Sequence, residues 1–325
     1  MAESFRTPAS RRRVSRQRYL VRRLGVAVVA VLVVAGGVWG VSTLVGGPGE
    51  QIASGSAPET TEAASEPSVS TDVLPSDPST IATASTASPT TVPPTTVAGP
   101  APPTAAEPAK VLVVGDSDAG TFGPYLKELL DGTGVAETTV DYKVSSGLAR
   151  PDFFDWPAHL TAELPTADPD IVVVTFGGND AQGLALADGS FLNGDPVAAK
   201  EEWLPEYTRR AGEVMDLLAA DGRTVIWVGI PNDDSPEVTA RLEIQDEAVR
   251  AAIATRPAVQ FVDTWARFSS PNGGWAEYVI DPRDGLGKDV RAEGGFHLNE
   301  NGAEILALDI AEVVKSDLRT RGATL

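Results

Sequence analysis

A chain of 325 residues with no cysteine and only two histidines, His159 and His297, excludes disulfides, thiolate metal sites and a cysteine nucleophile, and argues against a multi-histidine metal centre. The formal net charge is −19, yet eight of the 26 basic residues are arginines within positions 1–23, beside a single acid, Glu3. The rest of the chain is therefore more acidic than the total states, which sets nucleic acid aside as a partner.

Positions 24–45, LGVAVVAVLVVAGGVWGVSTLV, carry no charge over 22 residues, and roughly 20 apolar residues suffice for a helix to cross a bilayer. With the arginine cluster just before this span, residues 1–23 are expected in the cytoplasm and everything after position 45 outside the cell membrane. The long basic leader and the lack of an A-x-A site after Val45 favour an uncleaved signal anchor over a cleaved signal peptide. From 46 to 109 the composition turns to Ser, Thr, Pro, Ala and Glu, without lysine or arginine. Such a segment buries too little apolar surface to offset its chain entropy, so a disordered stalk is expected there.

Positions 110–325 read as one folded domain. Short apolar runs at 111–114, 139–144, 171–175, 225–228 and 259–262 predict strands. Helical patterns at 124–130, 198–220, 237–253 and 300–318 fall between and after them. That alternation predicts a three-layer α/β/α fold, flavodoxin-like, with a central parallel sheet covered on both faces.

In such a sheet, ligands sit beyond the carboxyl ends of the strands. The first strand runs into Gly115-Asp116-Ser117 and the second into Ser145-Ser146-Gly147. Gly177-Gly178-Asn179-Asp180 follows the third, and Gly295-Phe296-His297-Leu298-Asn299 precedes the last helix. A serine becomes a nucleophile when a neutral histidine removes its proton. The oxyanion that forms needs pre-aimed donors, such as a backbone N–H and an asparagine amide.

This series resembles the SGNH hydrolases, or GDSL-type esterases, over essentially the whole of 110–318. The resemblance implies Ser117 as nucleophile, Gly147 and Asn179 as oxyanion donors and His297 as general base. The family places an aspartate three residues before the histidine, where this chain has Gly294. Glu293 is the nearest replacement as orienting acid; a Ser–His dyad held by a backbone carbonyl, Asp284 and Asp289 are the alternatives.

Each residue also has a plainer role. Ser117 would cap the following helix, Asn179 and Asp180 would shape a turn, and His297 would be a surface residue beside a capping Asn299. His159 reads as a satisfied helix residue. The acids at 281, 284 and 289 match no calcium-loop spacing and read as a solvated face. The four blocks in order, through the family resemblance, imply a serine esterase with no cofactor and no metal, and the span at 24–45 with its linker implies that it is membrane-anchored and extracytoplasmic. Its substrate class would be small-molecule or glycan O-esters, in particular O-acetyl groups of the cell envelope. An O-acyltransferase of the same fold and a non-catalytic glycan-binding module are the competing readings.

Overall fold

The computed structural model describes residues 101–325. The basic segment at 1–23, the expected span at 24–45 and most of the linker at 46–109 lie outside the described residues. Among the described residues, no helix is long and apolar enough to cross a membrane.

Five parallel strands form the centre: β1 (Ala109–Gly115), β2 (Ala136–Tyr142), β3 (Ile171–Thr175), β4 (Thr224–Val228) and β5 (Val259–Val262), in the order β2-β1-β3-β4-β5. Their branched apolar residues alternate between faces, as the two-residue period of a strand requires. Val111, Val113, Ile171, Val173, Ile226 and Val228 face one core, with α1 (Ser117–Asp131) and the last helix, α6 (Glu300–Thr320). Leu112, Val114, Val172, Val174, Val225 and Trp227 face the other, under α2 (Trp156–Ala167), α3 (Lys200–Ala219) and α4 (Pro236–Ala254). Trp156, Trp203 and Trp227 are fully buried in that second core. Burying a large apolar side chain stabilises by about 1.5–3 kcal/mol, so these residues weigh heavily in the fold.

The helix starts follow from local chemistry. Asp155, Ser235 and Asn299 cap α2, α4 and α6 by accepting the N–H of Ala158, Val238 and Gly302. A short helix, α5 (Thr264–Arg267), follows β5, and a small antiparallel pair, β6 (Tyr278–Ile280) and β7 (Gly287–Asp289), leads to the loop before α6.

β1 leads to β2 on one side and its other neighbour is β3, so the strand order reverses at β1. A crevice therefore opens beyond the carboxyl ends of β1 and β3, where ligands of doubly wound sheets bind. Gly115, Tyr142 and Thr175 are in register at that edge. Ser117, Gly147 and Asn179 all belong to segments that leave it.

Candidate active site

Gly115 turns the chain out of β1 at φ +148°, and a Cβ there would lie 2.0 Å from the Thr175 carbonyl oxygen. Glycine alone fits so close an approach. The next residue, Asp116, is fully buried and is the N-cap of α1. Its Oδ1 accepts the Asp118 N–H at 3.0 Å. Its Oδ2 accepts the Gly177 N–H at 2.7 Å and one Asn179 amide N–H at 3.0 Å. The capping role that Ser117 would otherwise fill is thus taken by Asp116. Ser117 is the first residue of α1, half-buried, with its hydroxyl oxygen 3.0 Å from His297 Nε2.

Asp180 is a second buried carboxylate with a tying role. Oδ2 accepts the Leu148 N–H at 2.7 Å and the Tyr207 hydroxyl at 2.6 Å, while Oδ1 accepts the Ala149 N–H at 2.8 Å. The Gly147 backbone rests on it: a Cβ at Gly147 would come within 2.0 Å of Asp180 Oδ1. Burial pushes Asp180 up to about 7, against these three donated hydrogen bonds. Gln245, also buried, donates to the Phe176 and Gly177 carbonyls and to the Tyr207 hydroxyl, fixing the segment that carries Asn179. Asp116 thus joins the Ser117 and Asn179 segments, and Asp180 joins the Asn179 and Gly147 segments.

His297 reaches the crevice from an antiparallel loop closed by the Arg291–Leu298 bridge. Two glycines with positive φ, Gly294 and Gly295, let the loop turn back. The buried Arg291 guanidinium holds its base by donating to the carbonyls of Asn232, Phe268, Ala276 and Phe296 and to Asn232 Oδ1. The Phe296 ring lies over Gly178, where a Cβ would meet it at 3.0 Å.

The expected orienting acid is not at the histidine. Glu293 is exposed in the turn, and among the described residues no carboxylate is hydrogen-bonded to the imidazole. The backbone accounts for this, since the positive-φ glycines at 294 and 295 reverse the chain between Glu293 and His297. The alternatives are occupied elsewhere: Asp284 pairs with Lys288 at 2.9 Å, and Asp289 accepts from Arg291 N–H and Asn299. Asp281 pairs with Arg283 at 2.8 Å, and no His/Asp/Glu cluster of metal-site form occurs among the described residues. His159 contacts Asp141 at 2.6 Å on α2, as a satisfied helix residue would.

Four supporting residues were not read from the sequence: Asp180 as a tie, Tyr207, Gln245 and Arg291. Tyr207 and Gln245 sit on amphipathic helices, where their polarity gives no signal of its own. Asp118 is a fifth. Its buried Oδ2 has no hydrogen-bond partner among the described residues, and burial together with the neighbouring Asp116 carboxylate holds it well above the ordinary carboxylate range. Asp116 receives three donated hydrogen bonds and Asp118 Oδ2 none, so Asp118 is pushed up the further of the two.

A family model described as Protein of unknown function (DUF459) matches residues 110–313. The chain belongs to this family. All four blocks lie inside the DUF459 match, and the resemblance to the SGNH hydrolases holds in three dimensions: the blocks meet at the carboxyl edge of one parallel sheet. No curated protein matches the sequence. Solved structures similar to this DUF459 chain include a proposed SGNH hydrolase from Slackia heliotrinireducens, 19% identical, covering 64% of this chain and 99% of that one, with a TM-score of 0.42. A catalytic mutant of an acetylxylan esterase from Geobacillus stearothermophilus is 16% identical, with 66% and 95% covered and a TM-score of 0.43. The catalytic domain of peptidoglycan O-acetyltransferase A from Streptococcus pneumoniae is 17% identical, with 64% and 94% covered and a TM-score of 0.40.

Proposed function

We propose that this DUF459 protein is a serine ester hydrolase of the SGNH type, and that its substrate is an O-ester, foremost an O-acetyl group on a cell-envelope glycan. The observation that carries the reading is the 3.0 Å contact between the Ser117 hydroxyl and His297 Nε2. That is within the reach a general base needs.

In the reaction, His297 Nε2 takes the hydroxyl proton as Ser117 Oγ bonds to the ester carbonyl carbon. The negative charge on the carbonyl oxygen falls to the Gly147 N–H and to the Asn179 amide, one N–H of which Asp116 already holds in place. Collapse of the tetrahedral species breaks the bond to the alcohol, which leaves with the proton from Nε2. Water then adds to the acyl-enzyme by the same route, its proton passing through His297, and releases the acid and free Ser117. The histidine works as a Ser–His pair, without a carboxylate partner from Glu293.

The charge-free run at 24–45 behind its arginines and the Ser/Thr/Pro-rich stretch at 46–109 support a domain tethered outside the cytoplasmic membrane. In whole cells, external protease is expected to digest the domain or its stalk and spare residues 1–23. Recovery of the free protein in the medium would remove the anchor and leave the chemistry standing.

The chemical test is p-nitrophenyl acetate hydrolysis by the full chain. Ser117→Ala is expected to abolish turnover, His297→Ala to remove most of it, and Asn179→Ala to cost about 10²–10³ in rate. Unchanged turnover in Ser117→Ala would end this reading.

A further inference from the structure

Two residues after Asn179 the surface opens into a depression of about 390 Å³, lined by Ala181, Gln182 and Gly183 together with Phe191, Asn193, Asp195 and Arg241. It belongs to none of the catalytic steps above. We infer that this depression is a saccharide subsite, which seats the sugar ring next to the one whose ester is cleaved. The inference rests on the esterase reading for its catalytic half, while the binding half stands separately.

The wall chemistry selects the ligand. A sugar ring has an apolar C–H face and a rim of hydroxyls that both donate and accept. Phe191 supplies the flat apolar surface: the residue is 60% exposed, so the ring is open to a ligand. The ring is not loose. It rests on Gly183, where a Cβ would meet ring carbons at 3.1 Å, and Arg150 Cζ lies 5.3 Å from its centroid. The hairpin bearing it is closed by the Ala185–Phe191 bridge and by hydrogen bonds from Leu186 N–H to Ser190 O and from Leu192 N–H to Leu184 O.

Around the ring stand groups of both hydrogen-bonding signs. Asn193 uses its Oδ1 on the Leu184 N–H, which leaves the amide N–H groups for a hydroxyl. Asp195 and Arg241 pair at 2.6 Å and offer an acceptor and donors side by side. Gln182 donates its amide to the Asn179 carbonyl and keeps its Oε1 as an acceptor. That bond also joins the depression directly to the Asn179 segment.

Other ligand classes fit less well. An acyl chain needs a closed tunnel, and this depression is open to solvent along its length. An anion would meet Arg241 already neutralised by Asp195.

The test uses the full chain in two arms. In the first, Ser117→Ala, which cannot turn over, is titrated with chitotetraose, xylotetraose and maltotetraose by calorimetry. Binding of at least one is expected, with affinity lowered at least about tenfold when Phe191→Ala is added. In the second, kcat/KM for deacetylation of the O-acetylated form of the bound oligosaccharide is divided by kcat/KM for p-nitrophenyl acetate. Phe191→Ala and Asn193→Ala are expected to lower that ratio at least about tenfold, mainly through KM. Absence of tetrasaccharide binding, or a ratio unmoved by both variants, overturns the subsite. Phe191-dependent binding by a wild-type chain that cleaves neither ester would instead retain the subsite and overturn the esterase reading.

Discussion

At Gly147 the space for a side chain is already filled by the buried Asp180 carboxylate, which is held from three directions and cannot swing away. Gly147→Ala is therefore expected to destabilise by about 1–3 kcal/mol, the range for overpacking a closed core. In a domain of this size that lowers the thermal midpoint by roughly 2–4 °C per kcal/mol. Activity should fall with it, because the strained backbone is the one that presents the Gly147 N–H. A melting curve identical to wild type would show that the segment has room that the structure denies it. Glu293 is the opposite case. An exposed turn residue with no hydrogen-bond partner among the described residues has nothing to contribute to the imidazole, so Glu293→Gln should keep kcat/KM close to wild type. A tenfold loss, about 1.4 kcal/mol of transition-state stabilisation, would mean that the loop closes to bring the acid onto His297.

Among the elements, the three site segments are tied together by carboxylates rather than by apolar packing. Above pH 7, where Asp180 is ionised, Asp180→Asn replaces one acceptor by an amide N–H₂ opposite the Leu148 or Ala149 N–H, setting donor against donor. A buried group left unpaired in this way costs about 1–3 kcal/mol, and the expected result is a lower thermal midpoint together with lost esterase activity. Retained activity would show that Gly147 is positioned without Asp180. The strands of this frame were legible from the sequence because their apolar runs are short and bounded by turn-forming residues, Pro169 and Gly177 around one and Pro257 and Asp263 around the other: 171–175 and 259–262 match β3 and β5 to the residue. The helical pattern predicts a start for α1 at 124, yet it starts at Ser117. Gly120, Gly123 and Pro124 look like breakers in one dimension. In the fold the two glycines instead admit the Tyr142 ring and Val140, and the Asp116 cap carries the first turn. The sequence puts His159 in a helix but gives no bounds for α2, since Pro157 and Pro165 mask them, while Pro157 in fact occupies the tolerated first turn. The four site blocks were legible because each follows a strand or precedes a helix. The ties behind them, Asp180 to Leu148 or Arg291 to Phe268, join positions far apart in sequence and leave no local pattern.

For the molecule as a whole, the buried acids fix how stability varies with pH. Asp180 has a folded value of about 7 against an ordinary 3.8, so the folded chain holds a proton that the unfolded chain releases. That contribution is present below about pH 4 and is lost as pH climbs towards 7; Asp118 acts with the same sign. Glu206 runs the other way. Hydrogen bonding to Arg209, and then to Arg210, holds it down to about 2, so its contribution is present above its ordinary 4.5 and is lost as pH falls towards 2. The thermal midpoint should therefore peak on the acid side of neutrality and decline between pH 5 and 7, with a shallower decline in Asp180→Asn. A midpoint rising steadily to pH 7 would contradict the assignment of these protons.

Whether this DUF459 domain is an enzyme turns on one covalent bond. The full chain treated with a fluorophosphonate should gain a single adduct by intact-mass measurement, mapping by peptide fragmentation to Ser117 and absent from Ser117→Ala. Wild-type protein that hydrolyses p-nitrophenyl acetate yet takes no adduct, or carries it on any residue other than Ser117, would contradict the Ser117–His297 account.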